Sequence, residues 1–81
     1  VYLKREGCPY PEPTVNIRWG STGSGASWVQ WQLRRHGAAI EVDGIFGAAS
    51  AAALRAFQKA HGLAADGICG PATRAALRKE A

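Results

Sequence analysis

Three helical stripes of apolar residues run along this chain, separated by glycine-containing turns. In the first, Ala26, Val29 and Leu33 share one face at 100° per residue, with Gln30 at its edge. The spacing predicts a helix from about 26 to 36, which Gly37 ends. In the second, over 48–60, Ser50, Ala53, Leu54 and Phe57 point inward, while Arg55 and Lys59 lie opposite, one turn apart. The third is short, from 71 to about 79, with Thr73, Ala76 and Leu77 inside and Arg74 and Arg78 outside. Helices of these lengths do not persist alone in water, so they must pack together. The predicted fold is all-α: a compact three-helix domain with ordered loops.

The loops repeat as well as the helices. Asp43-Gly44-Ile45-Phe46-Gly47-Ala48-Ala49-Ser50 returns as Asp66-Gly67-Ile68-Cys69-Gly70-Pro71-Ala72-Thr73, and Ala53 and Leu54 return as Ala76 and Leu77, all at an offset of 23. Each copy is an Asp-Gly turn running into a helix. An aspartate side chain bonds the backbone two residues on, and glycine accepts positive φ. Asp43, Gly44, Gly47, Asp66, Gly67 and Gly70 are therefore structural turn residues. Gly47 and Gly70 stand at N-cap positions, and Pro71 fits the first helical position. The loop is no EF-hand, because Leu54 occupies the slot of the closing glutamate, and no Gly-Lys-Ser/Thr of a P-loop is present.

Two regions depart from this pattern. Residues 1–15 carry Pro9, Pro11 and Pro13 in alternation, which holds the chain extended, so they are expected to form a linker or an arm lying on a domain spanning 16–81. Val15 and Ile17 then alternate with polar neighbours as a short extended segment. On the first helix, Trp28, Trp31 and Arg35 form a stripe opposite the apolar one. Two tryptophans facing away from a core need a reason. Either the arm, through Tyr10 and Val15, folds over them, or they form a ligand platform with Arg35 one turn beyond Trp31.

Composition narrows the chemistry. The chain has 81 residues and a formal charge of +4, which suits an anionic polymer without specifying one. No transmembrane run or lipidation motif is present, so no membrane partner is expected. The chain begins at Val1 and has no methionine, which reads as a piece of a longer protein with its targeting signal elsewhere. Cys8 and Cys69 leave two readings open: a disulfide closing a loop of about 60 residues, or two free thiols. His36 and His61 each end a helix and make no ligand spacing with each other or with the cysteines, so neither a metal nor another cofactor is expected. Serine, histidine and acid form no nucleophile motif, and turn formation accounts for both repeated aspartates, so no catalytic residue is assigned.

One ordered set of residues carries a resemblance. Ala26-x-x-Val29-Gln30-x-x-Leu33, Gly37, Val42-Asp43-Gly44-Ile45-Phe46-Gly47, Ala53-Leu54-x-x-Phe57-Gln58, Gly62-Leu63-x-x-Asp66-Gly67-Ile68-x-Gly70-Pro71-x-Thr73 and Leu77 together resemble the small peptidoglycan-binding domain found beside bacterial cell-wall hydrolases and in phage lysins. The resemblance covers about 17–78. Three departures stand out: Ala48-Ala49-Ser50 where the family often has Pro-x-Thr, His36 where it often has an apolar residue, and Cys69 where an aliphatic or aromatic residue is more usual. The resemblance implies a three-helix fold, no catalysis of its own and binding to wall peptidoglycan. It also implies an extracellular or cell-wall location and a covalently attached amidase, muramidase or peptidase outside this chain. Family members share no single ligand site, so Trp28, Trp31 and Arg35 rest on residue chemistry alone. Gln30 and Gln58 are expected to bond loop backbone, since a buried amide needs partners. Two other functions compete: packing as a structural or pro-domain on a parent enzyme, and nucleic-acid binding. The last is disfavoured because the second and third helices offer few side chains to read base edges.

Overall fold

A computed structural model describes residues 10–78 of the chain. Three helices form in order: α1 over Ser24–Arg35, α2 over Ala48–Ala60 and α3 over Pro71–Arg78. Helix α1 is central and packs on both of the others. Its consecutive residues from Ala26 to Leu33 are all buried. A helix covered on most sides needs no polar face. Ile17, Trp28, Val29, Leu33, Phe46, Leu54, Phe57, Cys69 and Leu77 make up most of one continuous core.

The first two helices end alike. The N–H of Gly37 bonds the carbonyl of Arg34 at 2.9 Å, and that of Ala38 bonds Leu33 at 2.9 Å. The N–H of Gly62 bonds Lys59 at 3.2 Å, and that of Leu63 bonds Gln58 at 2.8 Å. These are Schellman closures, and Gly37 and Gly62 take the positive φ they require, 103° and 72°.

Two antiparallel bridges tie the N-terminal segment to the turns: Ile17 with Cys69, and Thr22 with Ile45. Arg74 of α3 donates to the carbonyl of Val15 at 3.1 Å. Arg74 and Arg78 both pair with Glu12. The stretch from Tyr10 to Ile17 is therefore held against α3, and Tyr10 is half-buried on the core.

The expectation that Trp28 and Trp31 face away from the core is corrected. They are only 4% and 8% exposed. The periodicity of a single helix separates stripes but does not count the elements packed around it, and α1 has neighbours on more than one side. Of the two residues expected to cover them, Tyr10 packs on the core and Val15 is exposed.

Candidate functional site

The two Asp-Gly turns are built on one plan, each anchored by a glutamine from the preceding helix. In the first, Oδ1 of Asp43 accepts the N–H of Ile45 at 3.0 Å, which closes the turn. The amide nitrogen of Gln30, on α1, lies 3.1 Å from that Oδ1, 2.9 Å from the carbonyl of Ile45 and 2.9 Å from Oγ of Ser50. Its Oε1 accepts the N–H of Gly44 at 3.0 Å. In the second, Oδ1 of Asp66 accepts the N–H of Ile68 at 3.0 Å. The amide nitrogen of Gln58, on α2, lies 3.2 Å from that Oδ1, 3.0 Å from the carbonyl of Ile68 and 3.2 Å from Oγ1 of Thr73. Its Oε1 accepts the N–H of Gly67 at 3.0 Å. Each helix thus pins the turn that starts the next.

The glycines of the turns are required. Gly44 and Gly67 have φ of 78° and 74°, a region that disfavours a side chain. A Cβ on Gly44 would also approach Oγ of Ser27 to 3.0 Å. The carboxyl of Asp43 is held below its ordinary value, first by the N–H of Ile45 and then by Gln30, both of which favour the charged form.

Beside each turn lies a pocket, and the two correspond residue for residue. The first, of ≈ 270 Å³, is edged by Ile40, Glu41, Asp43 and Ile45 and by the start of α2. The second, of ≈ 180 Å³, is edged by Leu63, Ala64, Asp66 and Ile68 and by the start of α3. Their polar atoms are largely engaged in the glutamine networks. No buried side-chain nitrogen or oxygen among the described residues lacks a partner.

The residues expected to meet a ligand lie elsewhere. Trp28 and Trp31 are interior, so their ring faces are not open as a platform. Nη2 of Arg35 donates to the carbonyl of Leu77 at 2.6 Å, and its Nε donates to Oε1 of Gln32 at 2.9 Å. A cation there satisfies the carbonyl end of α3. His36 is half-buried beside it, with Nε2 3.1 Å from the same carbonyl. The rings of His36 and His61, expected as separate solvated helix ends, meet at 5.9 Å, and Phe57 stacks on His61 at 4.1 Å. Among the described residues no group of three or more His, Cys, Asp or Glu side chains could hold a metal ion. No helix of the described residues is long and apolar enough to cross a membrane.

Cys69 is a free, buried thiol among the described residues. Burial pushes it up to about 12. Cys8, its partner in the disulfide reading, lies outside the described residues.

The residue that sequence reasoning passed over is Trp19, which is 64% exposed. Its signal was its place: a tryptophan outside any helical stripe, directly before a glycine turn. Ile45 is 62% exposed.

Residues 22–77 match the family described as "Putative peptidoglycan binding domain". Among solved structures, the chain is similar to a Burkholderia AP3 phage endolysin, with 44% identity and a TM-score of 0.76 over 78% of this chain and 24% of that one. It is similar to a peptidoglycan-binding protein from Clostridioides difficile, solved in complex with glutamine hydroxamate, with 41% identity and a TM-score of 0.77 over 79% of this chain and 40% of that one. It is also similar to the SleB N-terminal domain, with 34% identity and a TM-score of 0.79 over 83% of this chain and 93% of that one. No curated protein matches the chain. The chain spans about a quarter of the endolysin and well under half of the Clostridioides protein.

Proposed function

We propose a wall-binding function from one premise: the chain belongs to the peptidoglycan-binding domain family. Its task is to bind the peptidoglycan of bacterial cell walls without catalysing a reaction. The observation that carries this reading is the family match over 22–77, which takes in α1, α2, nearly all of α3 and both glutamine-anchored turns.

A module of this size acts best as a tether. Weak binding to an insoluble polymer suffices, because a covalent link holds a neighbouring enzyme at high effective concentration on its substrate. The neighbour we propose is a cell-wall hydrolase outside this chain, an amidase, muramidase or peptidase. The endolysin, of which this chain spans 24%, supports that reading. The site of action is then the cell wall, outside the membrane.

Co-sedimentation with purified insoluble peptidoglycan over a salt series tests the function. The expected result is pelleting that persists at salt concentrations where simple charge attraction is screened. Pelleting that vanishes in moderate salt reduces the function to attraction between a basic domain and an acidic polymer. No pelleting at low salt overturns the reading and moves the weight to a structural contact with the parent enzyme.

A further inference from the structure

We propose that Trp19 and the turn that carries it form a sugar-stacking subsite, which takes one pyranose ring of the N-acetylated glycan strand. The inference rests on the wall-binding reading and deepens it. The argument starts from exposure. A tryptophan 64% open to water loses the benefit of burying its indole. Here it also does so on a rigid support. The N–H of Ser21 bonds the carbonyl of Arg18 at 2.9 Å, and Oγ of Ser21 accepts the N–H of Arg18 at 3.1 Å. Gly20, directly after Trp19, donates its N–H to the carbonyl of Phe46 at 2.8 Å, and the N–H of Phe46 donates back to the carbonyl of Ser21 at 2.9 Å. A turn pinned in this way loses little backbone freedom on binding, which leaves more of an aromatic contact as affinity.

The surroundings favour a sugar over a protein surface. The residues that follow it in the turn are small or polar: Gly20, Ser21, Thr22 and Gly23. Gly20 and Gly23 have open space where a side chain would lie. A protein partner is met by a contiguous apolar patch, with aromatic anchors sunk in a packed centre. An indole carried on a turn of small and polar residues matches one pyranose: its C–H face lies on the ring, and its hydroxyl and acetamido groups reach the hydroxyls and backbone of that turn. Exposed Arg18 adds a cation for the carboxylates that accompany the strand. The ladder from Gly20 to Phe46 also brings the turn alongside exposed Ile45, on the rim of the ≈ 270 Å³ pocket.

The test uses the whole chain, glycan strands stripped of their stem peptides, the released stem peptides, and intact peptidoglycan. The readouts are the indole N–H signals in an NMR titration and pelleting with intact wall. Glycan is expected to move the Trp19 signal while those of Trp28 and Trp31 stay in place. Trp19→Ala is expected to weaken glycan binding about tenfold, with unchanged thermal unfolding, and Trp19→Tyr to keep most of the affinity. Equal binding by Trp19→Ala and the parent chain, with wall pelleting intact, overturns the subsite and leaves the wall-binding function standing. A Trp19 signal moved by stem peptides and not by glycan overturns the sugar assignment. Failure of the parent chain to bind either glycan or wall overturns both readings together.

Discussion

Gln58→Ala tests whether the glutamine network, more than the local turn chemistry, holds the second repeat in place. Gln58 is only 1% exposed. Its amide has two N–H groups to donate, and its carbonyl accepts one N–H, from Gly67, which makes three hydrogen bonds here. The partners around it are Asp66, Ile68, Thr73 and Gly67. At about 1 kcal/mol net each, removal costs about 3 kcal/mol. Gly67 is itself buried, and its N–H is left without the acceptor it now has, which brings the sum to about 4–5 kcal/mol. A domain of this size has roughly 4–12 kcal/mol in total. The melting temperature is therefore expected to fall by about 16–40 °C, given roughly 4–8 °C per kcal/mol. Thermal and urea unfolding followed by far-UV circular dichroism measure it. Lys59→Ala, at the exposed neighbouring position, is the control and should stay within about 0.5 kcal/mol.

Gln58→Glu separates the network from simple loss of packing. It keeps the shape but replaces two donors with a carboxylate beside Asp66, whose Oδ1 sits 3.2 Å from the present amide nitrogen. Burial and the like charge both raise the introduced carboxyl in the folded state above its unfolded value of about 4.3. A group raised on folding is tolerated below its unfolded value and loses that tolerance as pH rises through its folded value. Gln58→Glu should thus be strongly destabilised at neutral pH and recover toward the parent chain in acid, while Gln58→Ala should not recover. A loss below about 1 kcal/mol for Gln58→Ala, or parallel pH profiles for the two variants, would refute the reasoning.

Ala48→Pro gives α2 the start that Pro71 gives α3. Gly47 before it is already extended, with φ −102° and ψ −160°, as a residue preceding proline must be. The substitution should stabilise the domain by about 0.4–1 kcal/mol in urea unfolding. Cys69, raised by burial to about 12, should alkylate far more slowly than its unfolded counterpart at mildly alkaline pH, as peptide mapping by mass spectrometry would show. The neutral thiol's contribution should be complete below the unfolded value of about 8.5 and disappear as pH rises toward the folded one. Asp43, lowered in the folded state, should contribute stability above the ordinary carboxylate value and lose it as pH falls through its own. An NMR titration should place its midpoint below 3.8, and Asp43→Asn should flatten that part of the acid unfolding curve.

What could be read in the sequence was local. The Asp-Gly turns depend on contacts two residues apart, and the bonds from Asp43 to Ile45 and from Asp66 to Ile68 are of that kind. The helix ends at Gly37 and Gly62 are equally local. The roles of Gln30 and Gln58 followed from their place in a repeated unit, though not the full set of their partners. Misreadings arose where distant segments meet. The stripe of Trp28, Trp31 and Arg35 looked outward because one helix's periodicity contains nothing of α3, whose Leu77 carbonyl receives Arg35. The pairing of Glu12 with Arg74 and Arg78 joins positions more than 60 residues apart, and no spacing rule announces it. His36 and His61 meet because the residues that end α1 and α2 both lie against Phe57.

This division between local and distant contacts also bears on where recognition can lie. The repeated polar residues, Gln30, Asp43 and Ser50 and then Gln58, Asp66 and Thr73, are consumed in holding one turn to one helix, twice. The buried members, Gln30, Ser50, Gln58 and Thr73, cannot meet a ligand without giving up internal bonds, at the cost of the domain's stability, whereas the exposed Asp43 and Asp66 use Oδ1 for the turn. The buried residues that define the repeat are therefore poorly placed to select what is bound. Selection falls to groups the fold leaves in water, and among the large apolar side chains described these are Val15, Trp19 and Ile45. Val15 carries its exposure on a segment fastened to α3 through its own carbonyl. Trp19 instead sits on the ladder between the first turn and the segment before α1, outside both glutamine networks, whereas Ile45 lends the first network its backbone carbonyl and N–H and keeps only its side chain in water. A module built this way can change its ligand by changing a few loop residues while its scaffold stays the same.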